Sequence, residues 1–190
     1  MSLFSASPLV KLYSLEEFWQ LPEPLDRSKL ELIAGVLYLT PPSEYIHEHI
    51  VQRLNYLLSQ YLFENSTQGR LYVPRAAIWT SPNTYLEPDL FYVSEALEAQ
   101  MDPQYRTTAD LVIEVLSPGS AIFDKNAKAD TYAALGVQEL WLIDNSTKSV
   151  EVRQNTGYEF GRCLTFQGES IIQSFVFHHL TFVVQHLFED

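Results

Sequence analysis

A single cysteine, Cys163, occurs in 190 residues. That excludes an internal disulfide and a cysteine-built zinc site, and it fits a cytoplasmic protein. Basic residues are scarce: 12 Lys and Arg stand against 24 Asp and Glu, a formal net charge of -12. Such a surface repels phosphate backbones at long range, so a nucleic-acid partner would need a local basic patch or a bound metal. No uninterrupted apolar run reaches the roughly 18 residues of a transmembrane span, so no membrane partner is expected. Met1 to Leu12 lacks a basic start followed by a sustained apolar stretch and does not read as a secretion signal. Internal repeats, low-complexity tracts and linkers are also missing. What is present is 46% hydrophobic content, enough for one domain over 1–190 with a full core.

The apolar pattern orders the elements. Ser14-Leu15-Glu16-Glu17 is a capping box opening a short helix that Pro22 and Pro24 end. Leu30–Ile33 and Val36–Leu39, joined by Ala34-Gly35, read as a β-hairpin. Pro41-Pro42-Ser43 should cap a helix from about Glu44 to Phe63, whose apolar residues recur at helical spacing. One strand is expected over Leu71 to Thr80, then one opening at Asp89, then Asp110 to Leu116. Ala96 to Met101 reads as a short helix or irregular. Ser117-Pro118-Gly119-Ser120 forms a tight loop into a helix, about Phe123 to Leu135, that Gly136 ends. Glu139 to Asp144 is a buried strand, and Val150 to Arg153 alternates like an exposed one. The strand–helix–strand unit from Asp110 to Asp144 implies a parallel crossover. Together these give an α/β domain, a central mixed β-sheet flanked by helices.

Two acids stand out. Asp89 opens an apolar run, and Glu114 shares a strand face with Val112 and Leu116. A carboxylate in apolar surroundings is costly to desolvate unless a cation or donors meet it. If the two strands are neighbours, Asp89, Glu114 and a main-chain carbonyl, that of Val115, can hold one Mg2+ or Mn2+. Such an ion activates water and stabilises charge on a phosphate. A lysine two residues after the glutamate would complete the pattern, but Leu116 stands there. Asp124, Lys128 and Tyr132 lie on one face of the following helix, so Lys128 is the substitute and Lys125 its solvent-facing competitor.

Glu31-Leu32-Ile33-Ala34-Gly35, His47, Glu87-Pro88-Asp89, Asp110 through Pro118, Asp124, Lys128, Tyr132 and Gly136 through Asp144 form an ordered set. In that order and spacing the set resembles the Uma-type "putative restriction endonuclease" family of the PD-(D/E)XK nuclease superfamily, over about residues 14 to 155. The resemblance implies a restriction-endonuclease-like fold, Asp89 and Glu114 as metal ligands, Lys128 as a catalytic lysine moved from strand to helix, and Glu31 as a further acid. It also implies action on DNA and, as for many such nucleases, a homodimer. His47 stands at the family's helical histidine. Ala34 and Leu140 depart from the pattern, which has an aspartate and an aromatic residue there; both positions read as structural.

Simpler readings exist for each residue. Glu114 can instead pair with a buried arginine such as Arg75, and Asp89 fits an ordinary strand-start acid. Asp124 and Lys128 match a solvent-exposed helix pair. Glu31 fits a cross-strand surface acid with Leu30 and Leu32 facing the core. His47 fits a histidine hydrogen-bonded near the site; His49, two residues on, cannot chelate with it. Tyr132 is either core packing or a hydroxyl at the site. Ser117 lacks a nucleophile elbow, and His178-His179 reads as structural. Phe175 to Phe188 is either an interface or the last core element. Two other functions compete with the DNA endonuclease: the same fold kept as an inactive binding module, and a metal-dependent hydrolase of small phosphoesters.

Overall fold

The computed structural model describes residues 11–26, 28–117 and 124–189. Helix α1 (Leu15–Phe18) opens with the expected capping box, Ser14 and Glu17 bonding each other's backbone N–H. Strands β1 (Lys29–Ile33) and β2 (Val36–Thr40) form the hairpin. Its turn needs positive φ at two positions, met by Ala34 (49°) and Gly35 (86°). Helix α2 (Tyr45–Glu64) follows, but Glu44 holds its N-cap without a side-chain bond, so Ser43 is not the cap.

The strand expected over Leu71 to Thr80 is two strands in different sheets, β3 (Gly69–Tyr72) and β4 (Ile78–Thr80). Pro74, which has no N–H to donate, and Arg75, at φ 77°, break the run between them. Next come β5 (Thr84–Leu86), β6 (Leu90–Ser94), α3 (Glu95–Glu98) and β7 (Leu111–Leu116). A π-helical turn, Asp124–Lys128, leads into α4 (Ala129–Ala134), ended by Gly136 at φ 84°. Pro118, Gly119, Ser120 and Phe123, placed by the sequence in the loop and helix start, lie outside the described residues. Strands β8 (Glu139–Asp144), β9 (Ser149–Gln154) and β10 (Arg162–Gln167) complete the fold.

The hairpin does not join the mixed sheet. It belongs to a four-stranded antiparallel sheet, β2-β1-β5-β4, beside a six-stranded sheet, β10-β9-β8-β7-β6-β3. Among the described residues only β7 and β8 run parallel, as the crossover requires. Strand β9 is interior rather than exposed: β8 and β10 flank it, and Val150 and Val152 are buried.

Every residue of β7 is buried, because both faces of the large sheet are covered. Leu111, Ile113 and Val115 pack with α2 through Ile50, Leu54 and Leu58. Val112 and Leu116 face the other side, with Tyr132 of α4 and Ile33 of β1. The C-terminal segment is core: Phe177, Leu180, Phe182, Val184 and Leu187 pack on the α2 side. The buried Glu139 ties it there, accepting from Trp141 Nε1 and from the backbone N–H groups of Phe175 and Val176. Among the described residues no helix is long and apolar enough to cross a membrane.

Candidate active site

Strands β6 and β7 are antiparallel neighbours, with Leu90 opposite Ile113. One more step of that register sets Asp89 opposite Glu114, so the two side chains share a face. Asp89 ends the short segment Glu87-Pro88-Asp89 that carries the chain from β5 in the small sheet to β6 in the large one. The site therefore lies at the seam between the sheets. A cavity of about 440 Å³ opens there, lined by Lys29, His47, Arg75, Asp89, Glu114 and Lys128 among others.

The small sheet supplies Glu31 and Lys29 from alternate positions of β1. Leu30 and Leu32 pack in a separate apolar cluster with Leu15 and Phe18. Glu31 is thus no surface acid; it is fully buried, its Oε1 accepting from the Glu87 N–H at 2.9 Å. Lys29 Nζ donates to the Glu87 carbonyl at 2.7 Å and lies 3.6 Å from Asp89 Oδ1. Asp89 Oδ2 accepts from the Val115 N–H at 2.8 Å and pairs with His47 Nε2 at 3.0 Å. His47 is therefore the histidine hydrogen-bonded near the site. The Val115 side chain lies in the α2-side core.

Lys128 is buried rather than solvent-exposed, and three carboxylates surround its ammonium. Glu31 Oε2 stands at 2.9 Å, Asp124 Oδ1 at 3.1 Å and Glu114 Oε1 at 3.3 Å. Tyr132 also donates to Glu114 Oε1, at 2.6 Å, so its hydroxyl belongs to the site. Asp124 and Lys128, at i, i+4, both face the sheet from a π-helical turn, and such turns recur at functional sites. Lys125 points elsewhere, to Asp144 at 3.6 Å. Arg75 meets Glu87 rather than Glu114. His49 stacks on Tyr45, and His178 and His179 are exposed.

These contacts drive the two central acids apart. Burial pushes the Glu114 carboxyl up to about 7; Lys128 opposes this, while the charges of Asp124 and Asp89 add to it. Burial also opposes ionisation of Asp89, but Lys29, His47 and the Val115 N–H together outweigh it and bring Asp89 to about 2. Lys128 is held well above the ordinary lysine range: burial is overcome by Glu114, Glu31 and Asp124. Burial likewise disfavours charge on His47, yet its bond to Asp89 raises it.

The donor chemistry fits a hard divalent cation. Asp89 and Glu114 offer carboxylate oxygens on one face, and Mg2+ needs only one or two carboxylates because it keeps several waters. Glu31 Oε2 and Asp124 Oδ1 are buried with no hydrogen bond, although both lie in ion-pair range of Lys128. Among the described residues there is no ready-made cage of three or more His, Cys, Asp or Glu.

Sequence reasoning missed Lys29, although its alternation with Glu31 on β1 was a usable signal. It also left Asp124 as a helix-surface partner. Lys29 offsets the charge of Asp89, and Asp124 is a third acid on Lys128.

The chain resembles other proteins along most of its length. An "Uncharacterized protein sll1609" of Synechocystis sp. is 29% identical over 150 residues, covering 77% of this chain and 83% of that protein. A crystal structure of "a putative nuclease belonging to DUF820" from Anabaena variabilis superposes with a TM-score of 0.74 at 19% identity. That likeness covers 92% of this chain and 97% of the other, and it shows a shared, restriction-endonuclease-like fold. The family model Uma2, described as "Putative restriction endonuclease", matches residues 15–184, and the chain belongs to that family.

Proposed function

We propose that this protein is a Mg2+- or Mn2+-dependent endonuclease that hydrolyses phosphodiester bonds in DNA. One observation carries the reading: Asp89, Glu114 and Lys128, far apart in the chain, line one cavity at the seam of the two sheets, with the buried Glu31 paired to Lys128 behind them. Asp89, Glu114 and the Val115 carbonyl would hold the ion, which when bound lowers the pKa of a coordinated water and offsets charge on the phosphoryl oxygens.

The protein groups have distinct tasks. Lys29 and His47 keep Asp89 ionised and fix its direction. Tyr132 fixes the orientation of Glu114. Lys128, kept protonated by the three acids around it, supplies positive charge beside the attacking water and the phosphate. Glu31 and Asp124 aim it, and Glu31 also anchors the segment that carries Asp89. A homodimer in the cytoplasm, with one site per DNA strand, completes the reading, and sedimentation velocity tests the dimer.

Calorimetric titration with Mn2+ of the wild type and of the Asp89→Asn, Glu114→Gln double variant tests the metal site. The wild type should give binding heat that the double variant lacks, and it should nick plasmid DNA in the presence of the ion. Equal heats from the two proteins would defeat the metal reading. Phosphate release from nucleotides without DNA cleavage would point to a small-phosphoester hydrolase instead.

A further inference from the structure

The cavity has a cation at its mouth that the site above does not use. Arg75 sits in the bend between β3 and β4, where the Ala76 N–H bonds the Val73 carbonyl at 3.1 Å. Its φ is 77°, a left-handed backbone that a bulky side chain rarely adopts. Non-glycine residues held this way cluster at ligand clamps, because the surrounding structure must impose the conformation. The Arg75 side chain is 65% exposed and lines the cavity. Among the described residues its sole ionic contact is Nε to Glu87 Oε2 at 3.9 Å, too long for a hydrogen bond.

The other lysine and arginine side chains lining the cavity are committed elsewhere. Lys29 is held by the Glu87 carbonyl and Asp89. Lys128 is buried among three acids. An anion approaching this acidic protein therefore meets the Arg75 guanidinium first, with its donors unspent, and that planar fork matches phosphate oxygens. We infer that Arg75 is a substrate-binding residue, gripping a phosphate oxyanion at the cavity mouth. The inference rests on the phosphodiesterase reading above and names how that site holds its substrate.

Two substitutions test it. Arg75→Gly removes the guanidinium and suits the backbone; Arg75→Asn removes the charge and also tolerates positive φ. Binding is measured without divalent metal, by fluorescence anisotropy, for a labelled 5′-phosphorylated oligonucleotide and for a labelled mononucleotide. The expected result is about tenfold weaker oligonucleotide binding and a salt slope reduced by about one. Relief of the backbone should raise the Tm of Arg75→Gly by about 2–4 °C. An equal loss for the mononucleotide would assign the contact to free phosphate esters; a loss for the oligonucleotide alone would assign it to a strand phosphate. Unchanged affinity for both ligands, or a lowered Tm of Arg75→Gly, overturns the inference and makes Arg75 a structural counter-ion of Glu87. The Mn2+ heat of these variants should equal that of the wild type. Its absence from every form would count against the metal site and leave the phosphate contact to be judged by anisotropy.

Discussion

Replacing Lys128 by Met separates a buried ionic centre from an ordinary helix-surface pair. The side chain keeps its length and loses its charge, leaving Glu31, Glu114 and Asp124 facing one another in a buried space. Removing one partner of a buried ion pair costs about 3–5 kcal/mol, against about 0.3–0.5 kcal/mol for an exposed i, i+4 pair. Three acids share this ammonium, but the loss should not triple, since Glu114 already titrates at about 7 and can take up a proton. The expected loss at pH 8 is therefore about 3–5 kcal/mol, or a Tm lower by about 6–20 °C for a chain of this size.

The pH dependence adds a second readout. Lys128 itself titrates well above the ordinary lysine range when folded, so its contribution is full at every pH below that range and is lost only in strong alkali. Between pH 8 and pH 5 the groups of the site that change are the carboxylates and His47, whose partner is Asp89. The deficit of Lys128→Met should shrink as pH falls and the acids neutralise, and adding Glu114→Gln to it should recover part of the loss. Urea unfolding in a chelating buffer at both pH values is the assay. A loss below about 1 kcal/mol at pH 8 would refute the buried centre and return Lys128 to the surface.

Four further outcomes are expected. Glu114, held at about 7 rather than 4.5, should make the metal-free protein less stable as pH rises through that interval, by up to about 3 kcal/mol. Asp89, held at about 2 rather than 3.8, acts oppositely: its contribution is present above 3.8 and lost as pH falls through 2. Denaturant titrations should therefore find stability falling on the alkaline side of pH 4, and Glu114→Gln should remove its share of that decline, leaving the shares of His47 and Glu139, whose pKa values are also raised. Tyr132→Phe removes the 2.6 Å bond to Glu114 and should cost about 1–3 kcal/mol, read by urea unfolding. Gly69→Ala should cost more than about 2 kcal/mol in the same assay, because a Cβ there would lie 2.6 Å from both the Tyr92 hydroxyl and the Val93 carbonyl oxygen. Glu139→Ala leaves Trp141 Nε1 and the Phe175 N–H without their acceptor and the Val176 N–H with Ser174 Oγ alone, at 3.2 Å. Hydrogen exchange at Phe175 and Val176 should rise more than that of β7 amides.

The sheet that carries the acids was legible because β7 and β8 are largely apolar and turn-bounded, which fits a buried parallel pair. The β6–β7 pairing was a condition of the reading, and the register supplies it. Two kinds of information were hidden. The first is burial imposed from outside an element: i, i+4 spacing makes Asp124 and Lys128 look like a surface pair, and only docking against β1 and β7 buries them. The second is a partner far along the chain. Lys29 belongs with Asp89, but nothing near either residue in sequence indicates that β5 lies beside β1. Apolar content also joined β3 to β4, where a proline and a left-handed arginine send the chain from one sheet to the other.

The seam ties completion of the site to the docking of the two sheets. Glu31 and Lys29 arrive on one sheet, Glu114 and Lys128 on the other side of the junction, with Asp89 at the crossing. Closing those contacts requires segments far apart in sequence to meet, the slow class of event in folding. A newly made chain can thus complete the β7–β8 crossover while its acids remain scattered. Opening of the small sheet would likewise remove Glu31 and Lys29 from the cluster. The convergence of these acids and lysines exists only while the two sheets are docked.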